Sequence, residues 1–327
     1  MIKSADEQAV TAASAANANE SVTNLEHGWV ELSDHCVVSF RGSAARDFLG
    51  RQLTCDINEL EDGKPQFGAW LTPKGRVLAL LRLFNRGPNQ VEAIVPSALA
   101  AELIQRMRLF VMRDDVNIEI DPQQVVIGMW GDCVAAINSD VSFAAQATTI
   151  HLANRPPLAM CCGSVAGVEN LSGEHVLTRS SPAQWQTMCI EAGLPQVELA
   201  TREAFIPQMI NLDRLGGVSF SKGCYPGQEI VARTQHLGRI KRRMFVIRAA
   251  RDDGQVPPRA GDVVVGAGGE TIGGRVVSAG STSRGTVLLA VLPLESDTAA
   301  KPLHLHDAPG TKLEVFAPPY SLRDTSD

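Results

Sequence analysis

The segment Leu215-Gly-Gly-Val-Ser-Phe-Ser-Lys-Gly-Cys-Tyr-Pro-Gly-Gln-Glu-Ile-Val-Ala-Arg233 contains the residue types best suited to chemistry. It runs from a strand-like stretch through a glycine turn into a helical pattern, with Pro226 suited to a first helical position. Cys224 then falls just ahead of a helix N-terminus and beside Lys222. Amide dipoles and a neighbouring cation both favour a thiolate, the form of cysteine that attacks electrophiles and binds metals. A small residue in a tight turn would give the same pattern, and no His or Asp spacing decides between the two readings.

A second candidate is Glu191, in Gln184-Trp185-Gln186-Thr187-Met188-Cys189-Ile190-Glu191-Ala192-Gly193-Leu194-Pro195. Gly193 and Pro195 end the helix, which places Glu191 in its last turn, where the dipole disfavours a carboxylate. The carboxylate needs a partner, and a ligand edge with two adjacent N–H donors would suit it; an exposed surface glutamate is the simpler alternative. The stretch from Lys222 to Arg251 also carries eight basic residues against the single acid Glu229, in a chain of net charge −6. This belt, 222–251, suggests an anionic partner such as a phosphate backbone or a string of carboxylates, and otherwise a solvated face. Aromatic residues that could stack on bases are sparse there, namely Tyr225 and Phe245.

Positioning these groups takes several elements. A chain of 327 residues, 44% hydrophobic, suits two or three packed domains. Its first half reads as strand Trp29–Phe40, a helix over Ala44–Leu53, a hairpin of Phe67–Leu71 and Arg76–Phe84 about Thr72-Pro73-Lys74-Gly75, and a helix N-capped by Ser97. Leu99, Leu103, Met107 and Phe110 fall on one face of that helix and are expected in the core. A similar texture follows in Val125–Met129, Thr148–Leu152, Leu158–Cys162 and a helix over Pro182–Ala192. Mixing of this kind argues α+β. From Met244 the pattern becomes Met244–Ile247, Asp262–Val265, Thr271–Val277, Thr286–Leu292 and Lys312–Phe316, separated by Gly, Pro and Asp, which predicts a small β-barrel. Gly266–Gly269 reads as turn residues and not as a dinucleotide loop.

The predicted boundaries are a disordered tail over 1–24, a first α+β lobe over 25–120, a second over 121–243 carrying the cysteine motif, with the lobes able to interleave, and a barrel and tail over 244–327. The seven scattered cysteines, without a C-x-x-C or H-E-x-x-H, predict free thiols, no metal site and a cytoplasmic location. No secretory signal and no membrane contact are expected. In the adjacent pair Cys161-Cys162, one thiol is expected to face inward and one outward, with no function assigned.

The motif Lys222-Gly223-Cys224-Tyr225-x-Gly227-Gln228-Glu229 resembles the signature of the YgfZ-type folate-binding proteins, also described as tRNA-modifying, a family related to the glycine-cleavage T-protein, an aminomethyltransferase. Ile190-Glu191-Ala192-Gly193, Phe205-Ile206-Pro207-Gln208 and Pro319-Tyr320-Ser321-Leu322 support it. The N-terminal half matches more loosely, through Gln52-Leu53-Thr54-x-Asp56 and through Lys74-Gly75-Arg76 leading into Leu81-Arg82-Leu83-Phe84.

The resemblance implies an α+β fold of two ferredoxin-like lobes of the T-protein folate-binding type plus a small C-terminal β-barrel, arranged as a ring, with tetrahydrofolate or a one-carbon derivative in a central channel. It further implies an accessory role in iron–sulfur cluster biogenesis or repair that indirectly supports tRNA modification, including a tRNA methylthiolation enzyme. Cys224 matches the signature cysteine, a reactive or cluster-contacting thiol, and Glu191 matches the glutamate that contacts the pterin in T-proteins. Lys222, Tyr225, Gln228 and Arg233 complete the expected folate-binding set, with Lys222 and Arg233 placed there by charge and proximity. The expected partners are folate, iron–sulfur enzymes or assembly proteins, and weak tRNA contact through 222–251. T-proteins carry an acidic pair after the hairpin turn, whereas this chain has Val77-Leu78-Ala79-Leu80, so Ala79-Leu80 speaks against standard aminomethyl transfer. The alternative is a folate-dependent one-carbon transferase that uses another residue.

Overall fold

The first two strands, β1 (His27–Glu31) and β2 (His35–Arg41), belong to different sheets in the computed structural model, which describes residues 27–138, 147–167, 178–236, 240–250, 257–266, 268–282, 285–294 and 302–322. The expected tail over 1–24 lies outside the described residues. After β2 come α1 (Ala45–Gln52), β3 (Gln66–Leu71), β4 (Val77–Gly87), β5 (Gln90–Pro96), α2 (Ser97–Arg108) and β6 (Asn117–Ile120). The first sheet has the order β3-β4-β5-β2-β6, with every neighbouring pair antiparallel. Strand β4 reads as a nearly unbroken apolar run because both of its faces are covered. On one side, α1 and α2 bury Phe48, Leu49, Leu103 and Met107 against Leu81 and Leu83. The other side meets the remainder of the molecule. Phe110 does not join the core: α2 ends at Arg108, and Phe110 is 52% exposed beyond it. Ser97 is the first helical residue and not the cap, because the chain enters the helix from an extended Pro96.

The second sheet is built from β7 (Gln124–Gly131), β8 (Ala147–Asn154) and β9 (Pro157–Ser164), with α3 (Asp132–Asn138) following β7. Its order is β1-β7-β9-β8. Trp29 sits opposite Met129, so a strand from ahead of the first lobe completes the second. The two sheets are therefore interleaved along the chain across residue 120. Cys161 and Cys162 do point to opposite faces, but both are buried. One joins the cluster of Ile127, Met129 and Val134, and the other joins that of Trp130, Ile150 and Trp185. The expectation of one exposed thiol fails because this sheet too is covered on both faces.

Helix α4 (Pro182–Glu191) begins with a capping box in which Ser181 and Gln184 bond each other's backbone N–H. It packs against β1 and β7 on one side. On the other it meets the barrel formed by β10 (Arg242–Ala250), β11 (Val263–Gly266), β12 (Thr271–Thr282), β13 (Gly285–Pro293), β14 (Leu303–Leu305) and β15 (Ala308–Phe316). The barrel order β10-β13-β12-β11-β14-β15 closes through the β10–β15 pairing and so leaves no edge. Three-residue β14 is too short for periodicity to reveal. A shared core joins barrel and first sheet, with Leu80 and Val77 of β4 in one cluster with Leu212, Tyr225, Val231, Met244 and Leu289.

Candidate functional site

The cysteine motif is anchored by its neighbours. Helix α5 (Gln228–His236) starts two residues later than Pro226 suggests, because Gly227 adopts φ +81° and turns the chain first. A methyl group on Gly227 would lie 2.6 Å from the Thr72 carbonyl oxygen and 2.8 Å from Gly75 Cα. One on Gly75 would lie 2.9 Å from Ile230 Cβ. The hairpin turn and the start of α5 thus touch backbone to backbone, and both glycines are needed for that contact.

Lys222 does not face Cys224. Its ammonium donates to the carbonyls of Gly50, Leu53 (2.7 Å) and Cys55 (3.0 Å) at the C-terminal end of α1, and lies 5.0 Å from the Tyr225 ring centroid. A cation there satisfies orphan helix carbonyls and complements the dipole. All three ammonium donors are engaged, so none remains for a folate carboxylate. Thr54 completes the attachment: its hydroxyl donates to Gly217 O at 2.6 Å, and its carbonyl accepts from Ser219 N. Both expected sources of thiolate stabilisation are therefore displaced, the helix N-terminus along the chain and the ammonium into α1.

Cys224 itself is exposed. Cys36 is half-buried and the other five cysteines are buried. Tyr225 is buried, which pushes its phenol up to about 12. Gln228 is half-buried at the first position of α5, and Arg233 is exposed on the same helix.

Glu191 lies elsewhere, at the C-terminal end of α4. The helix closes in a Schellman motif: Leu194 N bonds Cys189 O at 2.9 Å, Gly193 N bonds Ile190 O at 2.9 Å, and Gly193 has φ +69°. The partner demanded by the dipole is Arg248 of β10, 2.8 Å from the carboxylate and 4.7 Å from the Phe316 ring centroid. Tyr320, from the terminal motif, bonds Gly193 O at 2.8 Å.

The basic belt does not form one face. Arg243 is buried in a bidentate pair with Asp213 (2.6 and 2.9 Å), Arg248 pairs with Glu191, and Lys222 faces α1. Arg233 and Lys241 are exposed and Arg242 half-exposed, while Arg239 and Arg251 lie outside the described residues.

None of the expected folate-binding residues lines the cavity of about 30 Å³ where the first sheet, α4 and the barrel meet. Its wall includes Asp34, His35, Arg82, Trp185, Gln196 and Ser278. Arg82 is 3% exposed and, among the described residues, forms no ion pair. Burial lowers its pKa from the ordinary guanidinium value. It donates to Gln196 Oε1 at 3.1 Å, Gln196 Nε2 lies 3.0 Å from His35 Nε2, and His35 Nδ1 lies 2.8 Å from Asp34. Arg82 Nε and Ser278 Oγ are buried without a hydrogen-bond partner. Arg82 belongs to the loosely matching Leu81-Arg82-Leu83-Phe84 but is not among the expected site residues, although one charge inside Leu78-Ala-Leu-Leu-Arg-Leu-Phe84 was the signal that could have found it. Among the described residues no cluster of three metal-binding side chains occurs, and no helix is long and apolar enough to cross a membrane.

No family model matches the chain. It is 30% identical over 306 residues to the tRNA-modifying protein YgfZ of Aliivibrio fischeri, covering 90% of this chain and 92% of that one. It is 31% identical over 313 residues to the protein of the same name from Yersinia pestis, covering 90% and 93%. Among solved structures, the glycine cleavage system aminomethyltransferase T of Bartonella henselae has the same fold, with a TM-score of 0.69 over 90% of this chain and 86% of that one at 15% identity.

Proposed function

Because the chain belongs to the YgfZ family of tRNA-modifying proteins, we propose that it is a tetrahydrofolate-binding accessory protein of the cytoplasm that supports iron–sulfur enzymes and, through them, tRNA modification. The observation that carries the folate part is the junction cavity. Its buried guanidinium bonds the neutral Gln196 and feels the Asp34 carboxylate through space, and among the described residues two polar atoms of the lining side chains, Arg82 Nε and Ser278 Oγ, lack partners. An unmet donor beside a buried cavity favours a ligand with a polar acceptor edge. Trp185, Leu32, Ile190 and Leu194 supply the apolar and aromatic wall that a flat ring requires. The cavity volume suits about two water molecules, so a bicyclic ring requires some of these side chains to turn aside.

Arg82, Ser278 and Trp185 would hold the pterin, with Gln196 and His35 positioning the guanidinium. Bound tetrahydrofolate would supply a reduced pterin able to carry one-carbon units. The β4 positions Ala79 and Leu80 are buried and offer no proton acceptor, which favours an accessory role over aminomethyl transfer. Cys224, the exposed thiol, is available to a cluster or a cluster-carrying protein. In a strain lacking its own copy of the protein, the wild-type chain should restore methylthiolated tRNA. Cys224→Ala should fold with an unchanged melting temperature and restore none. Full restoration by Cys224→Ala would remove the thiol from the function.

A further inference from the structure

The connection between α2 and β6, residues 109–116, carries large apolar side chains that the core does not take up. Leu109 is 74% exposed, Phe110 52% and Met112 90%. Single exposed apolar residues are ordinary, but three within four positions form a patch, and such patches mark interaction sites. Met112 also adopts φ +47°, a conformation that glycine or asparagine takes more readily. Neither core packing nor turn chemistry accounts for a methionine there. The segment is pinned along its length. Phe110 N bonds Met107 O at 2.9 Å and Asp114 N bonds Val111 O at 2.8 Å, while Val111 and Val116 pack on the core of the first sheet. Asp115 accepts from the Ser43 backbone N–H at 3.0 Å and from its hydroxyl at 2.7 Å, just ahead of α1, and Asp114 pairs with Arg51 in the last turn of α1. The three apolar side chains thus stand on a fixed support, which lowers the ordering cost of docking a partner on them.

Charge narrows the kind of partner. Asp114 and Asp115 are engaged by Arg51 and Ser43, and Arg106 by Glu102. Arg108 donates to the neutral carbonyl of Ile118 at 3.2 Å, and Arg113 is exposed; among the described residues neither forms an ion pair. In a chain of net charge −6, this apolar patch therefore has a positive rim. Its complement is a protein surface with an apolar cleft bordered by carboxylates. Nucleic acid would answer the charge but offers little to the aliphatic side chains of Leu109 and Met112. Position narrows it further. The end of α1 that holds Asp114 through Arg51 also holds Lys222 through the Gly50 carbonyl, two residues ahead of the exposed Cys224. Patch and thiol border the same helix end, so one partner can meet both. We infer that Leu109, Phe110 and Met112 anchor the cluster-carrying protein that meets Cys224, a partner with an acid-bordered apolar cleft. The inference rests on the accessory role proposed above and deepens it by describing the partner.

The test uses the full chain in a strain lacking its own copy of the protein, with methylthiolated tRNA as the readout. Phe110→Ser combined with Met112→Ser should keep the melting temperature and the tetrahydrofolate affinity of the wild type, yet restore at least about tenfold less methylthiolated tRNA at equal protein level. Arg113→Glu should lower restoration by about threefold, as expected of a rim charge. Leu199→Ser removes an apolar side chain that is 62% exposed elsewhere and should restore fully. A photoreactive benzoylphenylalanine in place of Leu109 identifies the occupant in the same cells. The expected product joins this chain to an iron–sulfur protein at an apolar surface flanked by Asp or Glu. Full restoration by the Phe110 and Met112 variant would overturn the docking role and leave the accessory reading standing. Cross-linking to tRNA, to a second copy of this chain or to a protein without a cluster, or no cross-link at all, would overturn the partner assigned. Failure of the wild type to restore methylthiolated tRNA would contradict the accessory reading itself and the docking role with it.

Discussion

Cys224 differs from the other cysteines in access. Burial pushes Cys55, Cys161 and Cys189 up to about 12, so at neutral pH they are neutral as well as enclosed. Iodoacetamide added to the native protein should therefore modify Cys224 first and Cys36 slowly, with all seven thiols reacting only in denaturant. Mass spectrometry of the labelled peptides reads this directly. Rapid labelling of Cys161 or Cys189 in the native state would contradict the burial described. Cys224 was legible in the sequence as a candidate, but the reason given for it was not. Whether a lysine two positions away faces the thiol depends on what else can accept its hydrogen bonds, and here the carbonyls at the end of α1, distant in sequence, accept all three. Arg82 was hidden by the same kind of cause, since its burial is defined by three elements that meet only in the folded chain.

The motifs act as fasteners between elements. Lys222 and Thr54 join the cysteine loop to the end of α1, Gly227 meets the hairpin turn, and Gln208 donates to Val231 O of α5 at 2.8 Å. Tyr320 closes over Gly193, whose added methyl would lie 2.8 Å from its ring. Lys222, Tyr225 and Gly227 of the signature thus have a packing reason, whereas Gly223, Cys224 and Glu229 are exposed. Gly227→Ala should cost about 2 kcal/mol or more, because it places a side chain at positive φ and into the Thr72 carbonyl. Chemical denaturation measures the loss, and an unchanged midpoint would mean that turn and helix do not depend on this contact. The elements themselves were largely readable: the hairpin, α4 and most barrel strands fall within a few residues of expectation. Phe110 and Ser97 were misplaced because helix ends are set by backbone entry and exit and not by the spacing of apolar residues.

At the scale of the whole molecule, two interleaved sheets and a closed barrel enclose the junction lined by β4, α4 and β12. Their order along the chain follows from composition and turn chemistry, whereas the exchange of β1 into the second sheet requires a long-range pairing that local pattern does not encode. That exchange joins the two lobes, and α4 joins both to the barrel, so the cavity exists only in the assembled chain. The most direct test of the account is calorimetric titration of the wild-type protein and Cys224→Ala with tetrahydrofolate. The account predicts one site per chain with the same affinity in both, because the pterin site and the thiol stand on different elements. Absence of binding by the wild type, or its loss in Cys224→Ala, would contradict it.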